Sequence, residues 1–351
     1  MTPLGEILEK AIGSAGPLRL DQYIDACLSH PQYGYYATRD PFGAAGDFIT
    51  APEISQMFGE LLGLCLAQSW VDQGRPGRFA LTELGPGRGT LMADILRATA
   101  VVPGFHDAAR VHLVETSPAL RDAQRERLAQ AIWHDRVTDL PDLPLFLVAN
   151  EFFDALPVRQ FQRVGDSWRE RMVGPGLKSQ FGPPTPVPQL SARLDDTPDG
   201  RIVELRPQAD DIVETISGHI AQNGGAALIV DYGDWRSLGD TLQAVRDHAF
   251  EDPFANPGQA DVTAHVDFEP IARLARSNGV AVSGLTAQGV LLERLGITPR
   301  AQALAENLTG VALDAHIAAH RRLTHPEKMG QLFKALALYA NGSTCPPGFD
   351  P

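Results

Sequence analysis

Glu83 stands two residues ahead of three alternating glycines, Gly85, Gly87 and Gly89, in the stretch FALTELGPGRGT at 79–90. Glycine accepts a positive φ and lets backbone approach a bound molecule with no Cβ in between. The apolar run Phe79, Ala80, Leu81 reads as a strand, and TLMADILR from Thr90 reads as a helix, so the glycines form a strand-to-helix turn suited to a small molecule. Two ligand chemistries use such turns. A dinucleotide lays its pyrophosphate against the helix N-terminus and is marked by G-x-G-x-x-G. Here the spacing is G-x-G-x-G, and the Glu83 carboxylate would repel a pyrophosphate. S-adenosylmethionine has no phosphate but carries an ammonium and a sulfonium, both of which a carboxylate attracts. The sign of this one residue favours the methyl donor, with a ligand-free glycine turn as the alternative at this point.

Two further strand ends carry chemistry. Val111-His-Leu-Val114 reads as a second strand ending in Glu115, where a carboxylate can accept both hydroxyls of a ribose. The competing reading is a helix-capping acid. Ile132-Trp133 reads as a short third strand, which puts Trp133 or Asp135 at the border of an adenine. Leu145-Phe-Leu-Val-Ala149 then runs into Asn150-Glu-Phe-Phe-Asp154. In a doubly wound sheet ligands sit outside the carboxyl ends of the strands, so Asn150, Glu151 and Asp154 are expected at the same crevice as the glycines. The alternative is a loop with core phenylalanines and solvated acids.

The elements that must position these residues are legible in outline. Apolar spacing at Leu4, Ile7, Leu8, Ile12 and at Leu20, Tyr23, Ile24, Leu28 predicts two short helices. An aromatic and glycine-rich loop follows, carrying Asp47 and Phe48. Thr50 with Glu53 reads as a capping box opening a helix of about twenty residues. Such a cap stabilises a helix by about 1 kcal/mol. Residues 158–173 alternate like a hairpin, and 174–200, rich in proline and glycine, read as a surface insertion. A helix near 208–222 leads to a fifth strand ending in Asp231. Asp261 to Asp267, including His265, reads as a strand entering a helix. Residues 287–340 read mainly as helices.

The totals narrow the function classes. The chain has 351 residues, 44% of them hydrophobic and 21% charged, with a formal net charge of −13. That sign argues against nucleic acid as a partner and is compatible with a cationic substrate. Cys27, Cys65 and Cys345 form no paired spacing, so neither a disulfide framework nor a cysteine zinc site is expected. His316 and His320 have zinc-like spacing but lack the glutamate of H-E-x-x-H, and no metal is assigned. No basic leader or long apolar stretch points to export or to stable membrane insertion.

Taken together, these stretches resemble the MidA-like class I methyltransferases, relatives of the mitochondrial complex I assembly factor that dimethylates an arginine. The resemblance runs through GYY at 34–36, GDFITAPEISQMFGELLG at 46–63, ELGPGRGTLMADILR at 83–97, VETSPALRDAQ at 114–124, NEFFDALPVRQF at 150–161, ALIVDYG at 227–233, GQADVTAHVDF at 258–268 and MGQLFKALAL at 329–338. It implies an α/β, Rossmann-like core with a mostly parallel seven-stranded sheet at 76–286. A helical and loop cap at 1–75 and a mainly helical addition at 287–351 complete the expected domains. It also implies S-adenosyl-L-methionine as cofactor, held by Glu83, Gly85, Gly87, Gly89 and Glu115; the strand-end positions of Trp133 and Asn150 add these two residues beside it. Asn150, Glu151 and Asp154 are the candidates for catalysis, because paired carboxylates orient a guanidinium. The implied acceptor is an arginine on a protein, a complex I core subunit or its bacterial counterpart. A small-molecule methyltransferase, and an assembly factor that keeps the donor fold without catalysis, are the alternatives. No Arg-rich, acid-poor segment precedes Leu4, which leads to the expectation of a bacterial cytoplasmic protein, or of the mitochondrial matrix in a eukaryote.

Overall fold

The computed structural model describes residues 1–38 and 49–351, and they form two compact units, each assembled from three stretches of chain. Asp47 and Phe48 lie outside the described residues.

The larger unit takes Ile49–Phe153, Asp210–Trp235 and Phe268–Pro351. Its frame is a sheet of β1 (Phe79–Leu84), β2 (Ala109–Val114), β3 (Ile132–His134), β4 (Leu145–Asn150), β5 (Gly225–Asp234), β6 (Ala281–Val282), β7 (Thr286–Ala287) and β8 (Phe333–Tyr339). The order is β6-β8-β5-β4-β1-β2-β3, with β7 paired on β8. Strands β1 to β5 are parallel, while β8 runs antiparallel to β5. The seven strands along this path match the mostly parallel seven-stranded sheet expected from the resemblance. Every residue of β1 and of β4 is buried, as their near-continuous apolar runs require of parallel strands covered on both faces. The chain order reverses between β1 and β4, and the peptides leaving their carboxyl ends are the glycine turn and NEFFD. Such a switch point is where an open α/β sheet opens a crevice.

One sheet face is covered by helices α1 (Gln56–Asp72) and α2 (Thr90–Thr99), whose Phe58, Leu62, Leu66, Trp70, Met92 and Ile95 pack with Phe79, Leu81, Phe146 and Val148. The two helices approach closely because α1 carries glycines at the contact. A Cβ on Gly59 would lie 2.7 Å from the Asp94 Cβ, and one on Gly63 would lie 2.9 Å from the Ile95 Cα.

The other unit takes Met1–Phe48, Asp154–Ala209 and Arg236–Asp267. The helices Pro3–Ala15 and Leu20–Ser29 are present, and Leu4, Leu8, Tyr23 and Ile24 pack with Val158, Val173 and Val262. The strands Arg159–Val164 and Ser167–Gly174 form the expected hairpin, paired from Phe161 with Glu170 to Val164 with Ser167.

The structure adds to four of these expectations. The two compact units cut across 1–75, 76–286 and 287–351: α1 packs in the sheet core, and 154–209 groups with the N-terminal helices. The stretch 174–200, read as a surface insertion, carries structure of its own: Lys178–Phe181 pairs with Ser167–Gly174, and the 3₁₀ segment Pro188–Leu194 buries Leu190. The helix opening at Thr50 is broken at Ser55, which has an extended backbone and caps α1 through its hydroxyl. The Thr50 side chain makes no capping bond, and Glu53 reaches instead to the Thr90 hydroxyl at 2.6 Å. Finally, the helices Gln288–Leu295, Ile297–Ala305 and Gly310–Thr324 give way to β8. Its FKALALY is rich in helix formers, but pairing along β5 overrides that local preference.

Candidate active site

The turn after β1 is built for close backbone approach. Gly85, Gly87 and Gly89 have φ of 58°, 53° and 77°, the left-handed region where only glycine is unstrained. The Gly85 N–H donates to Val114 O at 3.0 Å, tying the turn to β2. A Cβ on Gly85 would stand 2.9 Å from the Phe152 ring, so the turn and the NEFFD peptide interlock at this residue.

Glu83, on the last turn of pleat before the glycines, is 3% exposed. Its Oε2 has no hydrogen-bond partner among the described residues. Burial pushes its carboxyl well above the ordinary carboxylate range; the Met92 N–H opposes that shift and the Glu115 charge adds to it. An orphaned buried carboxyl oxygen is costly, and it fits a ligand that brings a cation.

Glu115 follows β2 and is also buried, but it is engaged. Its Oε1 accepts from the Ser117 N–H at 2.8 Å and its Oε2 from Gln124 Nε2 at 3.3 Å. Burial raises its pKa, and the contacts to Ser117, Gln124 and Thr116 and the nearby Arg121 charge oppose the rise. The same Gln124 amide donates to Gly87 O at 2.7 Å and accepts from Trp133 Nε1 at 2.7 Å. Gln124 therefore couples the acid to the glycine turn. It escaped the sequence reading, although a glutamine four residues after Leu120 on the apolar face of the helix Pro118–Arg127 is the signal that could have found it. Trp133 joins this network through Gln124, with the Arg125 guanidinium 5.1 Å over its ring. Asp135 pairs with Arg121 at 2.6 Å.

At the end of β4, Asn150 is buried, donating through Nδ2 to Glu151 Oε1 at 3.1 Å. Its Oδ1 has no partner among the described residues. Glu151 has φ of 50°, a strained conformation for a residue with a side chain. It is held there by its N–H on Val230 O at 2.9 Å and by its carboxylate, which accepts the Ala51 N–H at 3.0 Å. The fully buried Asp231 fixes the next step by accepting the Phe153 N–H at 3.0 Å. The sequence showed Asp231 as a strand-end acid without revealing this bracing role.

Asp154 belongs to the other unit, where it is buried and its carbonyl accepts the Ala264 N–H at 3.1 Å. In the same unit Tyr36 donates to Asp261 Oδ1 at 3.1 Å. Burial raises the Tyr36 phenol above its usual range, and the charges of Asp261 and Asp154 add to the effect. The His265 N–H donates to Thr241 Oγ1 at 3.0 Å.

A family model for S-adenosyl-L-methionine-dependent methyltransferases matches residues 61–286. The protein named protein arginine methyltransferase NDUFAF7, mitochondrial, of Xenopus laevis is 36% identical over 356 residues, covering 92% of this chain and 81% of that protein. Its Homo sapiens counterpart is 35% identical over 371 residues, covering 96% and 83%. A superfamily member from Burkholderia thailandensis, whose crystal structure holds S-adenosyl-homocysteine, superposes with a TM-score of 0.83 at 29% identity, covering 98% of this chain and 93% of that one. Among the described residues no helix is long and apolar enough to cross a membrane.

Proposed function

We propose that this chain, which belongs to the S-adenosyl-L-methionine-dependent methyltransferase family and takes its methyl group from S-adenosyl-L-methionine, transfers that group to an arginine of a protein. The observation that carries the acceptor is the similarity, over 92% and 96% of the chain, to relatives named protein arginine methyltransferases. The earlier resemblance adds the substrate, a core subunit of respiratory complex I or its bacterial counterpart, and a role in assembling that complex. We place the reaction in the cytoplasm of a bacterium or the mitochondrial matrix of a eukaryote.

When bound, the donor supplies an electrophilic methyl group on a positively charged sulfur. The chain then supplies position and field. Glu83 offers its open oxygen to the donor's positive charge, Gly85, Gly87 and Gly89 let the turn's backbone approach it without a Cβ at those positions, and Glu115 receives the ribose. The Asn150 Oδ1 is an open acceptor for an N–H of donor or substrate. An arginine enters fully protonated and must lose a proton as it is methylated. Glu151 and Asp154 are assigned to orient the guanidinium and favour that loss, since carboxylates pair with it in a planar, bidentate fashion.

Two experiments test the reading. Mass spectrometry of complex I subunits from a deletion strain is expected to show an arginine that has lost its methyl groups; an unchanged pattern overturns the acceptor assignment. Glu151→Gln and Asp154→Asn are each expected to bind donor normally and to slow methylation at least tenfold. Wild-type rates in both would remove these carboxylates from the chemistry.

A further inference from the structure

Glu83 sits in a setting that its role as a cation acceptor does not by itself explain. It is 3% exposed, and one carboxyl oxygen has no partner among the described residues. Among the described residues two groups act on its charge. The first is the Met92 N–H of α2, which favours the carboxylate; the second is the Glu115 carboxylate at the end of β2, which disfavours it. Among those residues no guanidinium, ammonium or imidazole acts on it, and Arg121 acts on Glu115 instead. The neighbouring strand β4 ends in the uncharged Asn150. A buried carboxylate with an orphaned oxygen and a second buried acid beside it is strongly disfavoured.

We infer that Glu83 is a neutral carboxylic acid in the ligand-free protein and gives up its proton as the cationic donor arrives. The O–H bond breaks with its electron pair staying on the carboxylate, and the proton leaves to solvent. The positive charge brought by the donor takes the proton's place as counter-charge. Glu83 thereby determines how donor affinity responds to pH. Each proton released makes affinity rise by up to tenfold per pH unit, until the pH passes the raised titration point of the empty site. An engaged acid such as Glu115, already paired with Ser117 and Gln124, needs no such exchange.

Backbone restraint alone would hold the glycine turn equally well with an ionised Glu83, and donor affinity would then be flat with pH. The inference rests on placing the donor against Glu83, and the test separates the two claims. Titration calorimetry of the full chain with S-adenosyl-L-methionine, repeated in buffers of different ionisation enthalpy from about pH 5 to about pH 8, counts protons released on binding. The wild type is expected to release close to one more proton than Glu83→Gln, a difference that cancels the ligand's own ionisation. Glu115→Gln is expected to lower the pH at which the release fades, because it removes the neighbouring charge. A Glu83→Gln variant with wild-type affinity overturns the placement and the inference together. A weakened Glu83→Gln accompanied by no extra proton from the wild type overturns the proton exchange alone and leaves the placement standing. Should Glu83→Gln fold poorly, the buffer series on the wild type decides by itself: heats independent of buffer overturn the inference.

Discussion

The peptides leaving β1 and β4 are both strand-end turns at one switch point, yet they handle their acids in opposite ways. After β4, Glu151 is pinned in a strained backbone by bonds to Val230 and Ala51, and Asp231 braces Phe153, two residues on. Around β1 the backbone freedom comes from glycine, and Glu83 keeps an open oxygen. The turn after β4 engages its carboxylate with the Ala51 N–H and the Asn150 amide before any ligand arrives. The turn after β1 leaves a polar group unsatisfied, at a cost of about 1–3 kcal/mol, which a ligand can recover. Acids that look alike in sequence thus differ in how far the fold has already engaged them.

The comparison can be broken by substitution. Gly85→Ala is expected to have the largest effect, a loss of donor binding beyond a hundredfold by calorimetry, because the new Cβ combines a φ of 58° with a 2.9 Å approach to Phe152. A smaller side chain in place of the ring, as in Phe152→Leu, should restore part of it. Glu83→Gln should weaken donor binding by about ten- to hundredfold, the range of a charge-assisted hydrogen bond, while leaving the melting temperature of the ligand-free protein at or above wild type. Glu151→Ala should do the reverse. It should cost about 1–2 kcal/mol of stability by leaving the Ala51 and Asn150 donors unmatched, and speed hydrogen exchange at Ala51. Glu151→Gln, which keeps an acceptor, should recover most of that stability.

The smallest effect is a pH dependence. The raised pKa of Glu83 means its contribution to ligand-free stability is full below the ordinary carboxylate range and is lost as pH rises through the raised value. Thermal melts across pH should show this decline in the wild type, and Glu83→Gln should lack it. A decline of equal size in both would assign it to other groups.

What could be read in the sequence follows from the range of the interactions involved. The buried parallel strands and the glycine turn are local patterns, apolar runs and a φ requirement, and 79–90 and 145–154 were legible for that reason. The capping box at Thr50 and Glu53 was also a local pattern, and it failed because Thr90 offered Glu53 a hydroxyl from 37 residues away. Gln124, Asp231 and the strand character of 333–339 depend on partners on other elements. The bond from the Trp133 N–H to Gln124 likewise joins two elements and leaves no mark in either segment alone. Spacing along one segment can suggest where a side chain stands, but not which distant group will claim it.

β8 has a consequence for synthesis. Seven of its residues pair with β5, from Ala226 with Tyr339 to Tyr232 with Phe333, so β5 waits for the last strand of the sheet to leave the ribosome. Until then, one long flank of an apolar strand presents unpaired N–H and C=O groups, the kind of edge on which nascent chains cross-pair. Phe333–Tyr339 therefore decides how cleanly the sheet closes during synthesis. A chain stopped before Phe333 should collect in inclusion bodies even with every donor-site residue already made.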